Sequence, residues 1–330
     1  MGNFLGSEHW IGFKPQAVAG TAETTVSTFL VTESIKMDAK PKHVERKTFI
    51  GTGHKLPSRP GWTEPEGSAT SEVHASQPQP WYWALGNVVA TQPAVSTDPT
   101  VYLHTITEDA LAVSKQNSGG PVLLSVEGNR VFDKCKQRDA KINKITLKAK
   151  VGEVATLEIE YQALGHTDGA TSTSTPTFVT DVLTCRAVIV KIDGTQDVTI
   201  DDIEIVWDNK LKQLPVLEDV QGAPHVIQRE GAPEGSGKLK FIDFPTAQLA
   251  KLAAATTFAL IVELDGDTIS HAYKKFLRVT LPACQYTPSL NPEIADKTIT
   301  GSASFDAFYD TVTGRQILVE AQNTLSAINT

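Results

Sequence analysis

The chain has 330 residues, 40% hydrophobic and 21% charged, with a formal net charge of −8. That is apolar material for two ordinary domains, each with its own core, and too much for a disordered chain. The acidic balance argues against a dedicated nucleic-acid binder, whose phosphate contacts need clustered Lys and Arg; DNA passing nearby unbound is compatible with it.

The three cysteines, Cys135, Cys185 and Cys284, are far apart and form no CxxC. They predict free buried thiols in a reducing compartment rather than a disulfide framework. No apolar run has the length of a membrane span. The opening Met1-Gly2-Asn3-Phe4-Leu5-Gly6 lacks the basic and apolar regions of a signal peptide, and Gly6 stands where a myristoylation motif needs Ser or Thr. A soluble protein made in the cytoplasm is expected.

Taken in chain order, residues 1–20 hold few periodic signals and are expected to form an arm. Ser34-Ile35-Lys36-Met37 alternates as a strand does. From Lys40 to Ser71, Pro41, Pro57, Pro60, Pro65 and Trp62 predict a long loop. Trp81, Leu85 and Val88 fall at helical spacing behind Pro78 and Pro80. Ile145 to Val151 and Ala155 to Tyr161 alternate apolar and polar residues, predicting half-buried strands. Gly165 to Pro176, rich in Gly, Ser and Thr, reads as a mobile loop or linker.

The second half offers a similar series. Cys185 to Ile192 is an apolar run closed by the hairpin signal Asp193-Gly194, and Leu260 to Leu264 ends in Asp265-Gly266. Between them lie the alternating Asp202-Ile203-Glu204-Ile205 and a second proline-bearing loop, Asp208 to Lys238. A helical stripe of Leu249, Leu252, Ala253 and Thr256 follows. Leu277, Val279 and Leu281 mark one later strand, and Ile299, Ala303, Phe305, Ala307 and Tyr309 share a face of another.

The two series look like copies. Pro-Glu-Gly-Ser occurs at Pro65 to Ser68 and again 168 residues on, at Pro233 to Ser236. Ser34 to Met37 falls on Asp202 to Ile205, and Trp81 to Val89 on Leu249 to Thr257, at that same offset. The expected organisation is an arm (1–20), a first β domain (21–164), a linker or loop (165–180) and a second β domain (181–330).

No constellation carries chemistry. HExxH, His-x-His, GxSxG and GxxxxGK[ST] are all missing, and neither Asp201-Asp202 nor Asp265-Gly266-Asp267 has a calcium ladder. The sequence therefore predicts no catalytic residue, no metal site and no cofactor. The paired long loops instead point to a shared docking task, against the plainer alternative of an extended hairpin.

His9-Trp10-Ile11-Gly12-Phe13-Lys14-Pro15-Gln16, then Gly20-Thr21-Ala22-Glu23, resembles the start of tail tube proteins of long-tailed bacteriophages. Ala84-Leu85-Gly86, Tyr102-Leu103-His104-Thr105, Asn143-Lys144-Ile145-Thr146-Leu147 and Leu157-Glu158-Ile159-Glu160-Tyr161-Gln162-Ala163-Leu164-Gly165 continue the likeness over most of the chain. The resemblance implies a mainly β protein of two tandem β-sandwich or barrel domains, each with one flanking helix and a long projecting loop. It implies a virion tail component, assembled in the host cytoplasm, whose rings stack into a hollow conduit through which DNA passes without specific binding.

A duplicated chain would need three copies for a pseudo-sixfold ring, with a true hexamer as the other possibility. Lys40, Trp62 and Pro65, Glu66, Gly67, Ser68 would then belong to one stacking loop, and Asp208 and Pro233, Glu234, Gly235, Ser236 to the other. Glu158 and Glu160 are either acidic lumen lining or simply solvent-exposed. Partners would be further copies and the tape-measure, baseplate and terminator proteins, with no membrane. The alternatives are a terminator or baseplate ring protein on the same fold, or a carbohydrate-binding or adhesion β-sandwich protein.

Overall fold

The computed structural model describes residues 9–44, 58–93, 97–109, 121–129, 134–170, 174–183, 188–214, 226–243, 245–270, 273–295 and 298–328. It is mainly β with two short helices. The first half runs β1 (Trp10–Pro15), β2 (Thr28–Leu30), β3 (Thr32–Val44), β4 (Arg59–Glu72), α1 (Gln79–Leu85), β5 (Gly86–Thr91), β6 (Tyr102–Glu108), β7 (Leu124–Asn129), β8 (Lys134–Lys150), β9 (Thr156–Gln162) and β10 (Gly165–Asp168). The second runs β11 (Val188–Ile192), β12 (Thr195–Gln196), β13 (Ile200–Asp208), β14 (Leu211–Leu214), β15 (Val226–Arg229), β16 (Glu234–Phe241), α2 (Thr246–Ala253), β17 (Phe258–Ser270), β18 (Tyr273–Ala295), β19 (Thr298–Ala307) and β20 (Leu318–Asn323).

The first half is organised around β8, which belongs to two sheets. Its N-terminal part pairs with β7 and β10, its C-terminal part with β9 and β13. A register shift between Ile142 and Lys144 marks the change of sheet, and Asp139 just before it has left-handed backbone (φ 54°). One sheet is thus β2-β1-β7-β8-β10 and the other β3-β4-β9-β8. They pack face to face. Phe13 on β1 lies edge-on to Tyr161 on β9, 5.9 Å between ring centroids, and 5.2 Å from Trp83 of α1. Buried Cys135 on β8 lies 3.5 Å, sulfur to sulfur, from Met37 on β3.

The second half repeats these two sheets in the same chain order. β12-β11-β17-β18-β20 forms one sheet and β13-β16-β19-β18 the other. β18 carries a register shift, between Tyr286 and Leu290, where β8 carries its own. Phe258 on β17 packs against Tyr286 and Phe305, at 4.4 and 6.4 Å between centroids. Hairpin β5–β6 belongs to the first half alone and β14–β15 to the second, among the described residues. Two ladders join the halves: β13 on β8, and β20 on β6. Among the described residues the sheets do not close into a barrel.

Several sequence expectations meet the structure directly. Leu157, Ile159 and Tyr161 are buried on β9, and Asp193-Gly194, both with positive φ, turn β11 into β12. Cys135 and Cys284 are both buried, and burial pushes the Cys284 thiol up to about 12. Cys185 lies outside the described residues.

Other expectations are corrected. Residues 10–15, assigned to an arm, form β1 inside the core, because Ile11 and Phe13 bury against the facing sheet. Gly165 to Asp168, read as part of a mobile loop or linker, form β10 on β8. Asp265-Gly266 does not turn the chain; β17 passes through it with a register shift. The helix of 81–89 ends at Leu85, where Gly86 adopts left-handed backbone (φ 96°) and opens β5. α2 likewise ends at Ala253, and its expected apolar stripe docks shallowly, with Leu249 exposed and Gln248 the buried residue.

The shared tetrapeptide is out of step with the fold. Gly67 pairs with Met37 and Tyr161, whereas Gly237, 170 residues on, pairs with Ile205 and Phe305. A Cβ at Gly67 would meet the Tyr161 ring and the Lys36 carbonyl; at Gly237 it would meet the Phe305 ring and the Glu204 carbonyl. Each glycine makes room for the aromatic ring of the third strand. Gly67→Ala and Gly237→Ala are each expected to cost about 1–3 kcal/mol through overpacking. Gly231→Ala, where a Cβ meets nothing within 4 Å, leaves denaturant unfolding unchanged as a control.

Candidate functional site: the charged sheet face and the junction between halves

Because β8 pairs with β13, the two four-stranded sheets merge in the order β3-β4-β9-β8-β13-β16-β19-β18. Period-two alternation sends apolar side chains such as Met37, Ile159, Leu147, Ile205 and Leu239 to the core. The other face is polar and charged. Lysines stand on β8 (Lys144, Lys148, Lys150), with acids on the strands either side: Glu158 and Glu160 on β9, Asp202, Glu204 and Asp208 on β13.

Ion pairs knit this face. Lys144 reaches Glu160 at 3.4 Å, Lys148 reaches Glu158 at 3.2 Å, and Lys42 reaches Glu64 at 3.0 Å. Lys40 pairs with Glu66, which holds the Lys40 ammonium above its ordinary range. Lys210 bridges Glu234 (2.8 Å) and Asp208 (3.2 Å), and its ammonium is likewise raised, chiefly by Glu234. Exposed pairs of this kind contribute only about 0–1 kcal/mol each. Their larger effect is to spread both signs of charge over the surface.

The expected stacking-loop residues lie on this framework and not in free loops. Lys40 is on β3; Trp62 and Pro65 to Ser68 are on β4; Asp208 ends β13; Pro233 precedes β16, which Glu234, Gly235 and Ser236 begin. Trp62 donates to Glu64 at 3.1 Å. The prolines fit because β3 is an edge strand, and Pro65 sits just beyond the last β4–β9 pair, Glu66 with Gln162. The tips themselves, 45–57 and 215–225, lie outside the described residues. Glu66, Ser68, Glu158 and Glu160 come together with Lys36 and Asn143 around a groove of about 230 Å³.

The junction between the halves depends on a residue that the sequence hides. Asp208-Asn209-Lys210 reads as a turn, yet Asn209 is fully buried. It donates to the carbonyls of Ala84 and Ile142, both at 3.1 Å, and accepts from Trp207 (3.3 Å) and Arg229 (2.9 Å). Asn143 accepts from the Leu211 amide at 2.7 Å, and Gln213 donates to the Ala163 carbonyl at 2.8 Å. Hairpin β14–β15 is thereby fastened to the first half. Burial raises the Glu108 carboxyl nearby and lowers the Arg229 guanidinium, and their mutual attraction offsets part of each shift.

A sequence model of phage tail tube proteins matches residues 6–307, nearly the whole chain. The chain belongs to the phage tail tube protein family. No curated protein matches it. Membership makes the chain a structural component of the virion tail that associates with further copies of itself. Among the described residues no group of His, Cys, Asp and Glu is placed to hold a metal ion, and no helix is long and apolar enough to cross a membrane.

In this tail tube protein the second weld between halves is His104 on β6. Its buried ring donates from Nε2 to the Leu325 carbonyl (2.9 Å) and to Asn323 Oδ1 (3.1 Å) beyond and within β20. Burial lowers its pKa, only partly countered by those bonds. The unfolded chain therefore binds the proton more readily, and stability falls as pH drops below about 6.5. His104→Gln, which does not titrate, is expected to flatten that loss: urea unfolding between about pH 7.5 and about pH 5.5 should show wild type losing stability relative to the variant. Asn209→Ala leaves buried groups on both halves unpaired and should cost about 1–3 kcal/mol in the same assay.

Proposed function

We propose that the chain is the tube-building subunit of a phage tail, with a structural and non-catalytic role. Copies associate head to tail into a ring, and rings stack through their two unlike faces into a hollow conduit for DNA. The reading is carried by one observation: the four-stranded sheet β3-β4-β9-β8 recurs as β13-β16-β19-β18, and the two already sit side by side through β8 and β13. A heterologous contact that repeats one rotation closes into a ring and removes exposed sheet edges.

In this reading the two halves are tandem tube domains, and three copies give a ring of six similar units. The charged face of the merged sheet, Glu158 and Glu160 included, lines the lumen. Its lysines are interleaved with acids, so phosphates meet no cationic stripe that would trap the duplex. The segments at the ends of β3–β4 and β14–β15 reach the adjacent ring, bringing Lys40, Trp62, Asp208 and Glu234 near the stacking surface. The remaining partners are the tape-measure, baseplate and terminator proteins at the tube's core and ends, in a tail assembled in the host cytoplasm.

Electron microscopy of the purified protein across a concentration series tests this. Hollow tubes whose end-on views show six lobes with threefold modulation are expected. Single rings that never stack would assign the chain to a terminator or baseplate ring instead, and monomers at every concentration would contradict self-assembly.

A further inference from the structure

The strands of the merged sheet have two common ends. At the first, β13 stops at Asp208 opposite Glu234, where β16 starts, β9 stops at Gln162 opposite Glu66, and β19 stops at Ala307 opposite Gly235. At the second, β8 stops at Lys150, opposite Asp202 near the start of β13, and β16 stops at Phe241. In the ring of the proposed function such sheets stand side by side around the channel, so one end faces the ring above and the other the ring below.

Exposed apolar side chains collect at both ends. Phe308, Tyr309 and Val312 stand at the first, where Tyr309 is 63% and Val312 91% exposed; Val151, Val154, Val198 and Ile242 stand at the second. The first group sits on a loop that the first half lacks. Ala163 and Leu164 suffice to join β9 to β10, whereas residues 308–317 join β19 to β20. That loop holds its own shape. The Asp310 carboxylate accepts from the amides of Val312 (3.2 Å) and Thr313 (2.9 Å), and the Asp310 amide donates to the Arg315 carbonyl at 3.0 Å. The result is a pre-formed apolar knob with a cation, Arg315, at its base.

The second group borders a groove of about 220 Å³ where the halves meet. Val151 lines it from the first half, and Val188, Val198, Ile200 and Asp201 from the second. Asp201 Oδ1 is shielded from solvent and has no hydrogen-bond partner among the described residues, while Lys240 comes no nearer than 3.9 Å to the other oxygen. A shielded carboxylate oxygen without a donor is costly, so the groove suits an apolar group that brings a charged N–H donor with it.

We propose that the 308–315 knob of a chain in one ring seats in this groove of a chain in the next ring. Tyr309 and Val312 lie on the walls formed by Val151 and Val198, and the Arg315 guanidinium donates to Asp201 Oδ1. This rests on the reading of the chain as a tube-building subunit and names a contact by which its rings stack. Because the first half has no such loop, the knob occurs once per chain. Three knobs then key each pair of rings, so a ring of six similar units stacks in threefold register, with the permitted rotations a third of a turn apart.

Substitution and cross-linking on the full chain test the contact. Val312 is almost wholly exposed, so its replacement leaves the subunit's fold intact. Val312→Asp is expected to raise the concentration at which tubes form about tenfold, because a carboxylate is then carried into an apolar groove that already holds one. Single rings should form as they do in wild type. Mixing a Val312→Cys chain with a Val198→Cys chain under oxidising conditions should give a disulfide-linked dimer on non-reducing gels, in tubes and not in separated rings. The Val312→Cys chain alone should give none.

Tubes that form from Val312→Asp as readily as from wild type, with mixed cysteine chains that stay unlinked, would overturn this contact and leave the tube-building reading standing. Wild type that forms no tubes at all would overturn that reading and the contact with it.

Discussion

The backbone ladder between β8 and β13 is the contact on which the rest of this architecture depends. It is made of antiparallel pairs from Asp202 with Lys150 to Asp208 with Lys144. Each hydrogen bond contributes only about 0.5–1.5 kcal/mol net, but leaving the same groups dry and unpaired costs more. The ladder also fixes register, because a slip by one residue would turn Ile203, Ile205 and Trp207 out of the core. Buried Asn209 then locks the end of that ladder to both halves. The two similar sheets are thereby held in one defined relation, and a relation that can be repeated is what a ring requires.

The same ladder creates the charged face. Alternation along every strand means that whatever the ladder holds in register on the core side, it also holds in register on the polar side. β8 contributes lysines and its neighbours contribute carboxylates, so Lys144 and Lys148 pair across strands with Glu160 and Glu158. Such pairs are weakly stabilising and are screened beyond about 8–10 Å at physiological salt. In the proposed conduit a polyanion sliding past this face would meet mixed, short-ranged fields and no binding site.

Much of this was legible in the sequence where a strand had one dry and one wet face. β9 reads off its alternation, and the β11–β12 turn off Asp193-Gly194. The N-terminal part of β8 did not read as a strand, because polar residues take its buried positions: Gln137 donates to the carbonyls of Asp38 and Glu66, and Asp139 accepts from Gln16 and the Gly20 amide. Hairpin β3–β4 was hidden by its prolines, which an edge strand tolerates. The repeated tetrapeptide drew attention to a real similarity of pattern but fell two residues out of register, since the fold matches Gly67 with Gly237. Asn209 left no signal at all; its role comes from the carbonyls that two distant segments aim at it.

Amide hydrogen exchange, comparing dilute subunits with assembled material, tests most directly whether one ladder joins the halves within each subunit while assembly covers the edge left open. Peptides covering β8 and β13 should already be slow in the dilute subunit. Peptides covering the edge strand β3 should be fast there and slow only after assembly. Unchanged exchange at β3 on assembly, or rapid exchange across β8 and β13 in the subunit, would contradict it.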